Sequence, residues 1–288
     1  MTEATRPLAW TVRRELWENR AVYIAPPVVA AVFLFGYLIS LFTLPRRMNA
    51  ALLLDAARQR ALIAQPYNFV AGLVMMTAFL VAVFYCLDAL YGERRDRSIL
   101  FWKSLPVSDR TTVLAKASIP LVVLPAIVFP IALAARLIML LLATLTLMGN
   151  GRALAALWTH VTFFESSAAL LYATIIAPLW HAPFYAWLLL VSAWAKRAAF
   201  LWAVLPLMLV TMFEKMAFGT RYFYLMLGHR MTGWLTNGFE MHTPLPIEPL
   251  NAMTPGRFLS APGLWIGFAF AALFLALAVR LRRNRAPI

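Results

Sequence analysis

Residues 21–44 read AVYIAPPVVAAVFLFGYLISLFTL. No side chain in this stretch is charged. Wound as an α-helix at about 1.5 Å per residue, it is long enough to cross the roughly 30 Å hydrocarbon core of a bilayer. Lipid offers no partner to an unpaired backbone amide, so an apolar run of this length crosses as a helix. A basic stretch precedes it, as in a secretory leader. The run is a full bilayer long, however, and no small-residue cleavage site follows it, so it reads as a retained first span.

Five further stretches qualify on the same grounds, near 69–91, 115–148, 166–194, 198–217 and 262–281. The composition agrees: 62% of residues are hydrophobic and 13% charged. A soluble domain is nearer half apolar and a quarter charged, so this chain needs lipid as solvent. The third stretch is too long for one straight span and must tilt, kink or protrude. Only Ala195, Lys196 and Arg197 separate the fourth from the fifth, which predicts a tight hairpin. The segment Phe218–Ala261 carries Tyr222, Phe223, Tyr224, Met226, Met231, Trp234 and Phe239, too many aromatics and methionines for a freely solvated loop. It is expected to lie on the membrane surface or to re-enter it, packed against protein.

Charge supplies the orientation. With the N-terminus in the cytoplasm, the inner segments hold sixteen Lys and Arg residues and the outer segments eight. This bias favours both termini inside, in the plasma (inner) membrane of the cell. The net charge of +14 follows from basic residues that flank apolar runs and meet lipid headgroups, so no nucleic acid is expected as a partner. Cys86 is the one cysteine and forms no intrachain disulfide.

The most informative stretch runs from Leu87 to Lys116, LDALYGERRDRSILFWKSLPVSDRTTVLAK. It leaves the second span, crosses a short cytoplasmic turn and enters the third. Gly92 can end the first helix, Asp96 or Ser98 can cap a new one, and Pro106 stops that one near Leu105. Ser108 or Asp109 can then cap the helix that follows. Between these signals lies a short helix with apolar residues exposed among basic ones. A charged turn of the type E-R-R-x-x-S-I-L-F-W-K-S-L-P-V-S, followed by a lysine such as Lys116 before the next span, resembles the permease subunits of ABC-2 type ABC transporters. The close match covers about thirty residues, and the six-span layout extends it loosely to the whole chain.

That resemblance implies a fold, a partner set and a site. The fold is an all-α membrane protein, one transmembrane permease domain over residues 1–288. It has about six transmembrane helices, an N-terminal interfacial amphipathic helix and a short cytoplasmic coupling helix. The partners are a separate ABC ATPase subunit, a second permease subunit in a homodimer or heterodimer, and membrane lipids. The permease needs no cofactor of its own, since ATP is bound by the ATPase. The docking residues are Arg94, Arg95, Arg97, Ser98, Ile99, Leu100, Phe101, Trp102, Lys103 and Leu105. Cargo is then exported: a drug, peptide, lipid, polysaccharide or other hydrophobic compound.

Other residues bear on this reading. Over 6–20, Leu8 or Ala9, Val12 and Leu16 recur at helical spacing, Trp10 and Trp17 sit seven apart, and Arg13, Arg14 and Arg20 are polar, as in a helix lying in the interface. Prolines at 26, 27, 120, 125, 130, 178, 183 and 206 fall within spans, where each removes a backbone donor and bends its helix. Arg136 is the deepest ionisable group, a pathway contact or a partner for a carboxylate or freed carbonyls. No G-x-x-x-x-G-K-[ST], no H-E-x-x-H and no Cys/His cluster of metal spacing occurs, so neither ATP binding by this chain, nor catalysis, nor a metal is expected. The rival reading is a membrane-embedded enzyme or an ATPase-independent secondary transporter. The transporter predicts paired repeats with broken helices, which the sequence lacks. The enzyme predicts a polar cluster at one membrane face, to which only Glu240, His242 and Glu248 point.

Overall fold

The structure, a computed structural model, describes residues 7–104, 107–240 and 252–284. In chain order the helices are α1 (Pro7–Glu18), α2 (Ala21–Ser40), α3 (Leu44–Ala51), α4 (Ala56–Ala89), α5 (Tyr91–Arg95), α6 (Ile99–Ser104), α7 (Asp109–Ser118), α8 (Leu124–Leu147), α9 (Gly151–His160), α10 (Phe163–Trp194), α11 (Ala199–Phe218), α12 (Tyr222–Gly238), α13 (Pro255–Ser260) and α14 (Pro262–Asn284). A 3₁₀ turn joins α2 to α3, and a π-helical turn over Ile119–Val123 joins α7 to α8. Among the described residues no strand forms, only one isolated bridge between Phe239 and Met253. Among the described residues six helical stretches are long and apolar enough to cross a membrane: Ala21–Ala51, Ala56–Arg95, Asp109–Leu147, Gly151–Trp194, Ala199–Phe218 and Pro262–Asn284.

The six stretches coincide with the six apolar runs, but their ends differ. The second begins at Ala56, thirteen residues before the expected start near 69. Asp55 caps it by accepting from the Arg58 amide at 3.2 Å, and the segment is rich in good helix formers. Ile63 and Tyr67 then bury against Met48 and Ala51 of α3, so this corner is a packed helical hairpin. The third stretch runs unbroken from Asp109 to Leu147. It is about 58 Å long at helical rise and protrudes well beyond a bilayer core. The π-helical turn at Pro120 absorbs the missing donor without ending the helix.

α4, α8 and α10 form the centre. α2 packs on α4 and α8, α14 runs along α10, and α1 lies across α7. Small residues line the contacts, among them Ala71, Ala132, Ala135, Ala143 and Ala169, and they let the helix backbones approach closely. The outer faces of α2, α11 and α14 display Val32, Phe35, Met208, Phe213 and Trp265 to the surroundings, as lipid-facing helices do.

The connection from α10 to α11 is the expected tight turn, with Ala198 left-handed at φ 48°. At the far end of α11, Gly219 turns the chain at φ 67°. The Glu214 carboxylate then accepts from the Thr220 hydroxyl at 2.8 Å and from the Tyr222 and Phe223 amides at 2.7 and 2.9 Å. These bonds satisfy the open donors of α12 and fold it back onto α10. There the Trp180 indole donates to His229 O at 3.2 Å, and Arg230 stacks on the Trp180 ring at 4.9 Å while donating to Gly263 O at 2.9 Å. Over Tyr222–Gly238 the aromatic segment after α11 is therefore helix, held against α10 at Trp180.

Close approach of α12 to α10 requires glycine. A Cβ placed on Gly233 would fall 2.5 Å from the Trp180 ring, and one on Gly238 would collide with Ile176. Gly233→Ala is expected to destabilise the chain by at least about 1 kcal/mol through overpacking. Gly149→Ala, where a Cβ meets nothing within 4 Å, is the control. Thermal unfolding of the two variants in detergent makes the comparison.

Candidate functional site

One end of the bundle gathers α1, the α4–α7 turn, the α10–α11 turn and the C-terminus of α14; it is called the basal end below. Glu15 of α1 is fully buried there. Its carboxylate accepts from Lys116 Nζ at 2.9 and 3.0 Å, from the Tyr85 hydroxyl at 2.8 Å and from Arg14 Nη2 at 2.6 Å. Glu93 of α5 lies alongside, 3.0 Å from Lys116 Nζ, 3.1 Å from Arg14 Nη2 and 3.3 Å from Arg282 Nη2. Arg282 of α14 also pairs with Asp109 at the start of α7. Three carboxylates thus face three cations. Charges taken from water are tolerated only when paired and hydrogen-bonded, and here each ion meets at least one opposite charge. The cluster locks α1, α5, α7 and α14 together.

Burial alone would push the Glu15 carboxyl up; the Lys116 ammonium and the Arg14 guanidinium overcome this and hold it below its ordinary value. A depressed carboxyl stabilises the fold above its ordinary value near 4.3 and loses that contribution as pH falls through the native value. Glu18, at the exposed edge of α1, is pushed up by burial and acts weakly in the opposite sense. The melting temperature should therefore hold steady from about pH 7 to pH 5 and fall below about pH 4.3. Glu15→Gln, already lacking this charge, should show a shallower acid decline than wild type.

Beside the cluster the turn is anchored by α10. The Leu90 and Tyr91 amides donate to Ser192 Oγ at 2.9 and 2.8 Å, and Arg94 Nη1 donates to Ala193 O and Ala195 O at 2.8 and 3.1 Å. Arg94 therefore satisfies the last carbonyls of α10. It is buried, as is Ile99, and both leave the set of residues available to a partner. Arg97 turns the chain at φ 57°, the Ser98 hydroxyl donates to Glu93 O at 3.4 Å, and Ser108 caps α7 by accepting from the Thr111 amide at 3.1 Å. The exposed members are Arg95, which pairs with Asp88 and Asp96 at 3.6 and 2.9 Å, Arg97, Leu100 at 59% and Phe101 at 60% exposure. The side chains of Trp102 and Lys103, and all of Leu105, lie outside the described residues, as do His242 and Glu248.

α1 also differs in phase from its expected form. Val12 and Leu16 pack against the core, but the most buried positions are Thr11 and Glu15. Trp10 and Trp17 face outward, with the Arg13 guanidinium 5.7 and 5.0 Å from their rings. Sequence reading passed over Glu15. The signal was available: Thr11, Val12, Glu15 and Leu16 share one helical stripe, and a carboxylate on a stripe that packs inward demands a buried cation.

Arg136 of α8 is 1% exposed and donates from Nη1 to Ser166 O at 3.0 Å. Among the described residues no carboxylate lies within 4 Å of it. It meets a carbonyl in the first turn of α10. Between α4, the π-helical turn with the start of α8, α10 and α12 lies a cavity of about 420 Å³. Met75 and Phe79, Leu124 and Val128, Ala177 and Pro178, and Leu235 and Phe239 form most of its wall.

No family model matches the chain, and no curated protein or solved structure shows significant similarity to it.

Proposed function

We propose that the chain is the transmembrane permease subunit of an ATP-driven exporter of the ABC-2 type, working with a separate ATPase subunit in the plasma (inner) membrane. Both termini are cytoplasmic, which puts the basal end inside the cell. One observation carries the reading. Leu100 and Phe101 stand exposed on α6, while the adjoining turn is fixed by Glu93 and Arg94 to α1, α7, α10 and α14. Two apolar side chains held out from a braced, charged turn suit a docking helix, because force applied to α6 passes to the bases of several spans at once. A second permease subunit, identical or homologous, completes the exporter, and α1 rests its Trp10–Arg13–Trp17 face among lipid headgroups.

The sequence has no P-loop, so the purified chain alone should hydrolyse no ATP, whereas the complex isolated with its ATPase should. Robust hydrolysis by the lone chain, shown free of contaminating ATPase, contradicts the proposal.

A further inference from the structure

We propose that the cavity between α4, α8, α10 and α12 is a binding site, contained in one chain, for an uncharged and largely apolar molecule carrying a carbonyl or hydroxyl group. The site goes beyond the transport reading, since it needs neither an ATPase nor a second permease subunit.

The chemistry of the wall selects the ligand. No Asp, Glu, Lys or Arg lines the cavity, so a charged molecule would leave its charge unpaired in an apolar setting. Most polar groups of the wall are already engaged. Thr174 donates to Leu171 O at 2.8 Å and Thr232 to Gly228 O at 3.2 Å. The neutral His181 ring has one N–H, and it donates to one of the two carbonyls beside its nitrogens, Ala177 O at 2.7 Å or Met231 O at 3.1 Å. Two donors are left without a hydrogen-bond partner among the described residues, the Tyr185 hydroxyl and the Trp234 indole N–H. Each asks for an acceptor. Water alone suits such a wall poorly, because an ordered water needs two to four polar partners.

Size and access agree with this. The volume falls within the range of small-molecule sites. Met76 of α4 and Thr232 of α12 both line the cavity and are exposed, so it reaches the surface of the bundle between these helices. His181 lies thirteen residues before the end of α10 at Trp194, about 20 Å along the axis and inside the span of a bilayer core. A molecule dissolved in lipid can therefore enter sideways. Gly72 sits in the wall, and a Cβ built on it meets nothing within 4 Å, so the space beside it is open to a larger side chain.

The test is a fluorescence titration of the purified chain in lipid nanodiscs, with empty nanodiscs subtracted. The probe is prodan, an uncharged naphthalene with one ketone. The competitor is 1-anilinonaphthalene-8-sulfonate, an aromatic anion of comparable size. Wild type should bind prodan saturably, about one per chain, with blue-shifted emission, and the anion should not displace it. Tyr185→Phe, losing one hydrogen bond, should weaken binding roughly 5- to 10-fold. Gly72→Phe should abolish saturable binding by filling the cavity. If Gly72→Phe does not fold, Leu235→Trp fills the cavity from the opposite wall and decides the matter. Absence of saturable binding in wild type, unchanged binding in the cavity-filled variant, or displacement by the anion each overturns the site. Unchanged affinity in Tyr185→Phe overturns the assigned anchor.

Discussion

Lys116→Met is expected to destabilise the folded chain by about 3–5 kcal/mol, the loss typical when one member of a buried ion pair is removed. Lys116 is 1% exposed, and its ammonium touches both Glu15 and Glu93. Without it three carboxylates face Arg14 and Arg282 alone. Methionine fills a similar volume, so the loss reports charge rather than a void. Arg58→Met is the control, because Arg58 is exposed and pairs only with Asp55; such pairs contribute about 0–1 kcal/mol. Adding Glu15→Met to Lys116→Met restores the balance of two carboxylates and two guanidiniums. The double variant should therefore be more stable than Lys116→Met alone. Thermal unfolding in detergent at pH 7 measures all three. A single variant as stable as Arg58→Met would mean that the cluster does not brace the basal end.

Phe101→Ala should weaken ATPase recruitment by about 2 kcal/mol or more, roughly 30-fold in affinity, if this ring is an anchor in a partner's groove. Phe101 is 60% exposed, so insertion and melting temperature should stay near wild type. Leu100→Ala should act in the same direction with a smaller loss. Arg95→Ala should change salt sensitivity more than affinity, because the guanidinium is exposed and shared between Asp88 and Asp96. Co-purification of the ATPase at matched membrane expression distinguishes these outcomes. Full retention in the Leu100→Ala, Phe101→Ala double variant would remove these side chains from the docking surface.

Most of the fold was legible in sequence because lipid makes the rule simple. An uncharged apolar run of bilayer length has one solution, and all six such runs are helices. What was misread lies where that rule gives no information. Residues 56–68 are polar enough to pass for a loop, yet a cap at Asp55 and buried Ile63 and Tyr67 make them helix. The site was legible as a segment but not as an arrangement. Arg94, Arg95 and Arg97 look alike in sequence. Only the packing of α10 against the turn separates a buried carbonyl cap from two exposed guanidiniums. Lys116 stands out in the sequence only for its place in a motif. Its partner Glu15 lies about a hundred residues away, and no local pattern joins them.

The central claim is that α6 at the basal end docks an ATPase inside the cell. Site-specific cross-linking tests it most directly. On a Cys86→Ser background, a cysteine at Phe101 and another at Phe164, an exposed residue at the start of α10, each receive a short photo-activated cross-linker in native membranes. The account predicts a cross-linked, ATP-binding polypeptide from the cysteine at 101 and none from that at 164. Absence of any ATP-binding adduct at 101, with the chain fully labelled and folded, would contradict it.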